Sequence, residues 1–202
     1  MELLFKTNEL IAWGGIAIIL LLIFAETGLL LGVAIPGGET LVFTAGLLVS
    51  TGALNISISL FLLLMITSGL AGDICGYYIG QRLGSKLYKK EDTWYFKKRF
   101  LLGAEKYLKK NSRFAMIAGK FLPVVRPFIP VLSGTAHVRF PYFVGFSAIA
   151  GILYFSCFLL AGYYLANQFP ILKDYIGWIV PISIALTIVI ACVQVRKLKQ
   201  PG

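Results

Sequence analysis

A chain of 202 residues with 58% hydrophobic and only 14% charged residues, at a mean hydropathy of +0.82, is not a soluble domain. Soluble domains average about 25% charged residues. The chain is therefore read as one integral membrane domain over 1–202, with a net charge of +10 gathered in particular segments rather than spread evenly.

No Walker motif, Rossmann glycine pattern or metal-ligand cluster occurs, so no cofactor, no metal and no enzymatic activity are expected. Cys75, Cys157 and Cys192 lie in apolar stretches without CxxC spacing and read as small core residues. The N-terminus lacks a basic region and a small-residue cleavage site, so the first apolar run is expected to be retained.

Apolar segments fall at 10–33, 41–54, 56–80, 114–138, 140–166 and 176–195. A helical crossing needs about 20 residues. The first segment carries Glu26 and runs into Pro36-Gly37-Gly38-Glu39. A charge in hydrocarbon costs roughly 2.5–3.5 kcal/mol on insertion scales. Non-helical backbone at membrane depth persists only against protein or a water-filled cavity. Segment 41–54 is too short to cross, so 36–54 is read as re-entrant. In 56–80 the glycines Gly72, Gly76 and Gly80, continued by Gly84, recur every fourth residue. On a helix they form one smooth stripe where two backbones can approach closely in lipid. Asp73 sits beside that stripe and is expected to reach the interior.

Residues 81–112 hold ten Lys or Arg against Glu91, Asp92 and Glu105. A nucleic-acid patch is rejected in favour of a cytoplasmic loop that obeys the positive-inside rule. Contacts with anionic headgroups are compatible with that reading. Segment 113–139 follows, with Lys120, Pro123, Arg126, Pro127 and Pro130. Three prolines forbid a continuous helix, and Pro127 biases Arg126 away from helical backbone. Parity favours a second re-entrant hairpin. If 113–139 crossed, the basic tail Arg196-Lys197-Leu198-Lys199 would land outside; if it dips in and returns, the tail lands in the cytoplasm. The first half gives the mirror image, with one hairpin entering from each face. The expected fold is all-α and polytopic, an inverted repeat of the kind secondary transporters use. Its halves are 10–80 and 113–139 with a C-terminal helix pair over 140–195. Sequence likeness between the halves is thin: Pro36-Gly37-Gly38-Glu39 with Ala45-Gly46, against Pro130 with Ser133-Gly134. Tyr163, Tyr164, Tyr175 and Trp178 flank the turn of the C-terminal pair, where an interfacial aromatic belt belongs.

Glu26, Glu39 and Asp73 are the acids within the apolar segments. A buried carboxyl that changes charge near neutral pH suits proton coupling; a static pair with Lys120 or Arg126 is the other reading and stays open. The forked donors of a guanidinium match phosphate oxygens, and N-termini of broken helices add backbone N–H groups. Lys120 and Arg126, with Arg113 and Arg139 bracketing the segment, form a candidate cradle for an anionic headgroup. Simple snorkelling of Arg113 and Arg139 to the interface remains the alternative. Lys120-x5-Arg126-Pro127 with Ser133, Gly134 and His137 faintly resembles a lipid-phosphatase signature. The spacing is one short and His137 is the chain's one histidine, whereas that chemistry needs two.

Taken together, Glu26 through Ile35-Pro36-Gly37-Gly38-Glu39, then Gly72-Asp73-x3-Tyr77-x2-Gly80-x-Arg82-x-Gly84, and Lys120-x2-Pro123-x2-Arg126-x3-Pro130-x3-Gly134, resemble the DedA family of VTT-domain membrane proteins. The resemblance covers roughly residues 10–166. It implies two facing re-entrant hairpins and movement of lipid between leaflets. In bacterial members this means recycling undecaprenyl phosphate or flipping phospholipid with the proton gradient. The family's embedded acids correspond to Glu26 and Glu39, and its hairpin arginines to Lys120 and Arg126. Two departures stand out. Lys120 replaces an arginine common in the family, and Gly37-Gly38 has one glycine more than the usual Pro-Gly-Glu.

The expected function is thus translocation of an anionic lipid in a bacterial cytoplasmic membrane, with loop 81–112 and the C-terminus cytoplasmic. The expected partners are the lipid and protons, with a homo-oligomer left open and nucleic acid excluded. A proton-coupled small-ion or drug exporter and a non-transporting assembly scaffold are the rival readings.

Overall fold

The structure, a computed structural model, describes residues 2–28, 38–89, 116–122 and 125–168, with side-chain surroundings for 13–28, 38–82, 116–122 and 125–168. Pro36, Gly37, Arg113, Pro123, the basic stretch 90–112 and the expected span 176–195 lie outside the described residues.

Among the described residues every regular element is helical. Helix α1 covers Glu2–Gly28, α2 Gly38–Ser50 and α3 Ile58–Lys89. A 3-10 turn follows at Gly119–Phe121, then α4 at Phe128–Thr135 and α5 at Phe140–Gln168. Among the described residues two stretches, Ile58–Arg82 and Phe140–Gln168, are long and apolar enough to cross a membrane. Helix α2 has 13 residues and α4 has 8. At about 1.5 Å per residue neither reaches across the roughly 30 Å of hydrocarbon. Helix α3 runs on past residue 80 into the basic segment, ending at Lys89. No proline interrupts it there.

The breaks follow from residue type. Gly52, at φ +76°, turns the chain after α2 in the left-handed region that glycine favours. Ser57 then starts α3, its Oγ accepting from the Leu60 N–H at 3.4 Å. Just before α4 the N–H of Arg126 donates to the Leu122 carbonyl at 2.9 Å. Pro127 caps α4 and Pro130 lies in its first turn, where a missing N–H is tolerated. After α4 the chain reverses at His137, whose φ of 52° is unusual for a side-chain-bearing residue. The ring of His137 is exposed, with Nδ1 3.0 Å from the Thr135 carbonyl.

Helix α2 packs on α5, α4 packs on α3, and α1 packs on α3. Helices α3 and α5 run antiparallel. Gly69 meets the Phe155 ring, Asp73 meets Ser147, and Tyr77 stacks on Phe143 at 4.8 Å. The core is built from Ile23 of α1, Val42 of α2, Phe61 and Met65 of α3, and Tyr154, Phe155 and Leu159 of α5.

Glycine sets how closely the helices approach. A Cβ on Gly46 of α2 would strike the Leu159 carbonyl of α5, and a Cβ on Gly162 of α5 would strike the Phe43 carbonyl of α2. The contact of α3 with α4 repeats this pattern. A Cβ on Gly80 would strike the Val131 carbonyl, and one on Gly134 the Tyr77 carbonyl. In both crossings the carbonyl struck lies three residues before the opposing glycine. Further along the α3 stripe, Gly72 faces the Phe24 carbonyl and Thr27 of α1, and a Cβ on Gly76 would lie 3.0 Å from the Pro130 Cβ.

Candidate functional site

The 3-10 turn, which carries Lys120, and the turn residues just before α4, which carry Arg126, deliver two cations to the interior. Lys120 is 5% exposed and Arg126 4%. Each meets an acid from a different helix and a polar side chain of α5.

Lys120 Nζ donates to Asp73 Oδ2 of α3. It also reaches Ser147 Oγ at 3.4 Å and the Ser147 carbonyl at 3.5 Å. The Ser147 hydroxyl donates in turn to the same Asp73 oxygen. The ammonium therefore has a partner for each of its three donors. Gly151, one turn beyond Ser147, leaves open space beside it, with Nζ 3.7 Å from where a Cβ would stand.

Arg126 Nη1 donates to the Tyr154 hydroxyl of α5 at 2.6 Å, and its guanidinium lies 4.2 Å from the centre of that ring. The same Nη1 is 3.6 Å from Glu26 Oε1 of α1, an ion pair without hydrogen-bond geometry. Nε and Nη2 of Arg126 are buried and have no hydrogen-bond partner among the described residues. Glu26 in turn accepts the backbone N–H of Gly38 at the start of α2, where the helix dipole favours a carboxylate. A Cβ on Gly38 would collide with that carboxylate. Glu39, in the first turn of α2, is half-buried and lies within electrostatic range of Arg126 and Glu26.

Asp73, Lys120, Arg126 and Ser147 line one cavity together with Met116, Ile129, Pro130 and Phe143. Its volume of about 10 Å³ is near the minimum that one water needs. Polar groups of α3, of α5, of the 3-10 turn and of the residues just before α4 thus converge on a space that is, as it stands, too small for a headgroup.

Arg139 is exposed and lies just before α5, away from this cavity. Arg113 lies outside the described residues. Among the glycines and prolines read as motif residues, Gly38 abuts Glu26, Gly72, Gly76, Gly80 and Gly134 form helix contacts, and Pro127 and Pro130 open α4. Sequence reasoning passed over Ser147 and Tyr154. Both sit on α5, a helix whose composition reads as uniformly apolar, and their seven-residue spacing places them on one face two turns apart. That spacing was the available signal.

A helical membrane protein with paired buried charges converging on a small polar cavity is the class that fold and site define. The sequence profile of the VTT domain matches residues 35–164. The chain belongs to this family, the DedA family. It is 36% identical over 149 residues to the uncharacterized membrane protein Rv0364 of Mycobacterium tuberculosis, a match covering 74% of this chain and 65% of that one. The match thus spans slightly less than two-thirds of that relative's length. Protein DedA of Escherichia coli is 28% identical over 195 residues, 95% of this chain and 88% of its own. The inner membrane protein YqjA of Escherichia coli is 25% identical over 158 residues, 78% of this chain and 70% of its own. No solved structure matches.

Proposed function

We propose that this protein moves an anionic lipid headgroup between membrane leaflets, with Arg126 as the principal contact and a buried acid exchanging a proton. The observation that carries this reading is the pair of buried, unpartnered nitrogens on Arg126, a residue that lines the polar cavity. A buried donor without a partner costs about 1–3 kcal/mol, more when charged. A phosphate presents acceptor oxygens in the fork geometry that Nε and Nη2 offer. Undecaprenyl phosphate and phospholipids both carry such a group, and the tail would stay in the bilayer.

The two glycine crossings support the inverted-repeat reading. Each short helix, α2 or α4, crosses a long helix of the other half through the same reciprocal glycine arrangement. We therefore read 36–54 and 113–139 as hairpins entering from opposite faces of a bacterial cytoplasmic membrane, with the basic segment cytoplasmic. The named location of YqjA is consistent with that membrane. A second reading rests on the small size of the cavity, whose volume is about 10 Å³. In that reading the charges are static and the protein is an assembly scaffold.

Reconstituted vesicles separate the two. Leaflet transfer of undecaprenyl phosphate, phosphatidylglycerol and phosphatidylethanolamine would be followed with and without a pH gradient. Transfer of at least one phospholipid or polyprenyl phosphate above empty vesicles is expected, and Arg126→Lys should reduce it by about tenfold or more because it keeps the charge and loses the fork. Absence of transfer for all three lipids would overturn the translocation reading. Wild-type transfer by Arg126→Lys would overturn the bidentate contact alone.

A further inference from the structure

Lys120 and Arg126 face the same cavity in opposite conditions. Arg126 has two nitrogens without partners, whereas the Lys120 ammonium is fully taken up by Asp73 and Ser147. An anion entering the cavity finds Arg126 ready and Lys120 occupied. We propose that Lys120 changes partner, from Asp73 in the empty site to the anionic headgroup in the loaded one, and that a proton taken up by Asp73 releases it. This deepens the headgroup reading above and rests on it.

Three observations carry the exchange. Among the described residues Asp73 is the one carboxylate that both lines the cavity and holds a cation there. Glu26 and Glu39 do not line it, and Glu26 is already bound to the start of α2 through the Gly38 N–H. The charges around the site also require compensation. With all groups ionised, Glu26, Glu39 and Asp73 face Lys120 and Arg126, so the acids exceed the bases before any anion arrives. Adding a phosphate at low dielectric would enlarge that excess, and a proton on one acid offsets it. Finally, Lys120 has room to move. Its ammonium is a compact charge on a flexible stem, and Gly151 leaves space beside it.

The proton balance is simple. One proton from solvent adds to the Asp73 carboxylate. Lys120 keeps its three protons and transfers an N–H···O bond from Asp73 to a phosphate oxygen, while the Ser147 hydroxyl can remain bonded to the protonated acid. Other groups that face Asp73 do not replace it. Arg126 cannot give up a proton under these conditions, Tyr154 is bound to Arg126, and the hydroxyl of Tyr77, one turn on, donates to the Val138 carbonyl at 2.5 Å. Helix α4 brings no acid or base to the site.

The test uses the purified full chain in detergent and dihexanoyl phosphatidylglycerol, whose phosphodiester charge stays constant from about pH 5 to about pH 8, so any pH dependence of binding belongs to the protein. Wild-type affinity is expected to fall as pH rises, approaching tenfold per pH unit, the limit for one linked proton. Asp73→Asn should bind with a flat pH profile at the wild type's low-pH affinity. If Asp73→Asn does not fold, proton uptake on lipid addition is read with an indicator dye in Glu26→Gln and Glu39→Gln. Uptake retained in both supports Asp73, and uptake lost in either overturns it. A pH-dependent Asp73→Asn also overturns the exchange while leaving the headgroup site standing. Failure of the wild type to bind the lipid at any pH overturns both.

Discussion

Lys120 places its ammonium between Asp73 and Ser147, whereas Arg126 donates to Tyr154 through Nη1 and leaves Nε and Nη2 without a partner among the described residues. Removing one partner of a buried ion pair typically destabilises by about 3–5 kcal/mol, because the other charge stays buried. Removing a neutral hydrogen-bond partner of a charged group costs less, about 1.5–3 kcal/mol. Those magnitudes rank the side chains around the cavity. Asp73→Ala should lower unfolding stability by about 3–5 kcal/mol, and the added change Lys120→Met should recover much of the loss by removing the stranded charge. Tyr154→Phe should cost about 1.5–3 kcal/mol, since it deletes the bond to Nη1 and keeps the ring under the guanidinium. Thermal unfolding in detergent would read all three. A Tyr154→Phe protein as stable as wild type would mean that Nη1 finds Glu26 or water instead, and a double variant less stable than Asp73→Ala would show that Lys120 does not depend on Asp73.

At the scale of helices, backbone approach through glycine is the main device, because lipid offers no hydrophobic drive for helices to associate. Gly46 and Gly162 bring α2 to α5, and Gly80 and Gly134 bring α4 to α3. A methyl group at Gly80 would meet a carbonyl oxygen rather than a flexible side chain, so it cannot be absorbed by a rotamer change. Gly80→Ala and Gly46→Ala should therefore each destabilise by about 1–3 kcal/mol, the usual range for overpacking. Gly145→Ala, in α5 with nothing within 4 Å of the added carbon, should be neutral or stabilising. Equal melting temperatures for Gly80→Ala and Gly145→Ala would remove the crossing as a source of stability. The break before α4 was legible in the sequence because Pro127 and Pro130 act through backbone conformation, which residue type controls directly, whereas the turn at Gly52 fell inside the segment read as 41–54. The apolar character of α3 and α5 was legible for the same reason that hydropathy works in any membrane protein. The partners of the two cations were not. Ser147 and Tyr154 are single polar groups in a 29-residue apolar helix, and their role depends on α5 lying antiparallel to α3, a relation between distant segments that local pattern does not encode.

For the whole molecule, the antiparallel passage of α3 and α5 defines two ends. Tyr77 near the end of α3 bonds the Val138 carbonyl just before α5, so Arg82 and Arg139 lie towards one end. Ser57 before α3 and Gln168 at the close of α5 lie towards the other, and all four side chains are exposed. The end with Arg82 adjoins the basic segment, whose ten Lys and Arg residues over 81–112 should remain on the cytoplasmic side. A crossing by α3 and α5 then requires sidedness of a definite sign. In a background with Cys75, Cys157 and Cys192 replaced by Ala, single cysteines at Arg82 and Arg139 should react with a membrane-impermeant maleimide only after the cytoplasmic face is opened. Cysteines at Ser57 and Gln168 should react in intact cells. Position 139 is the most informative of the four because it follows directly on α4. If 113–139 enters and returns to the same face, positions 82 and 139 are labelled together; if that segment crosses, they are labelled from opposite sides. Labelling of Arg139→Cys in intact cells, with Arg82→Cys protected, would therefore overturn the re-entrant reading of the second half and with it the opposed pair of hairpins.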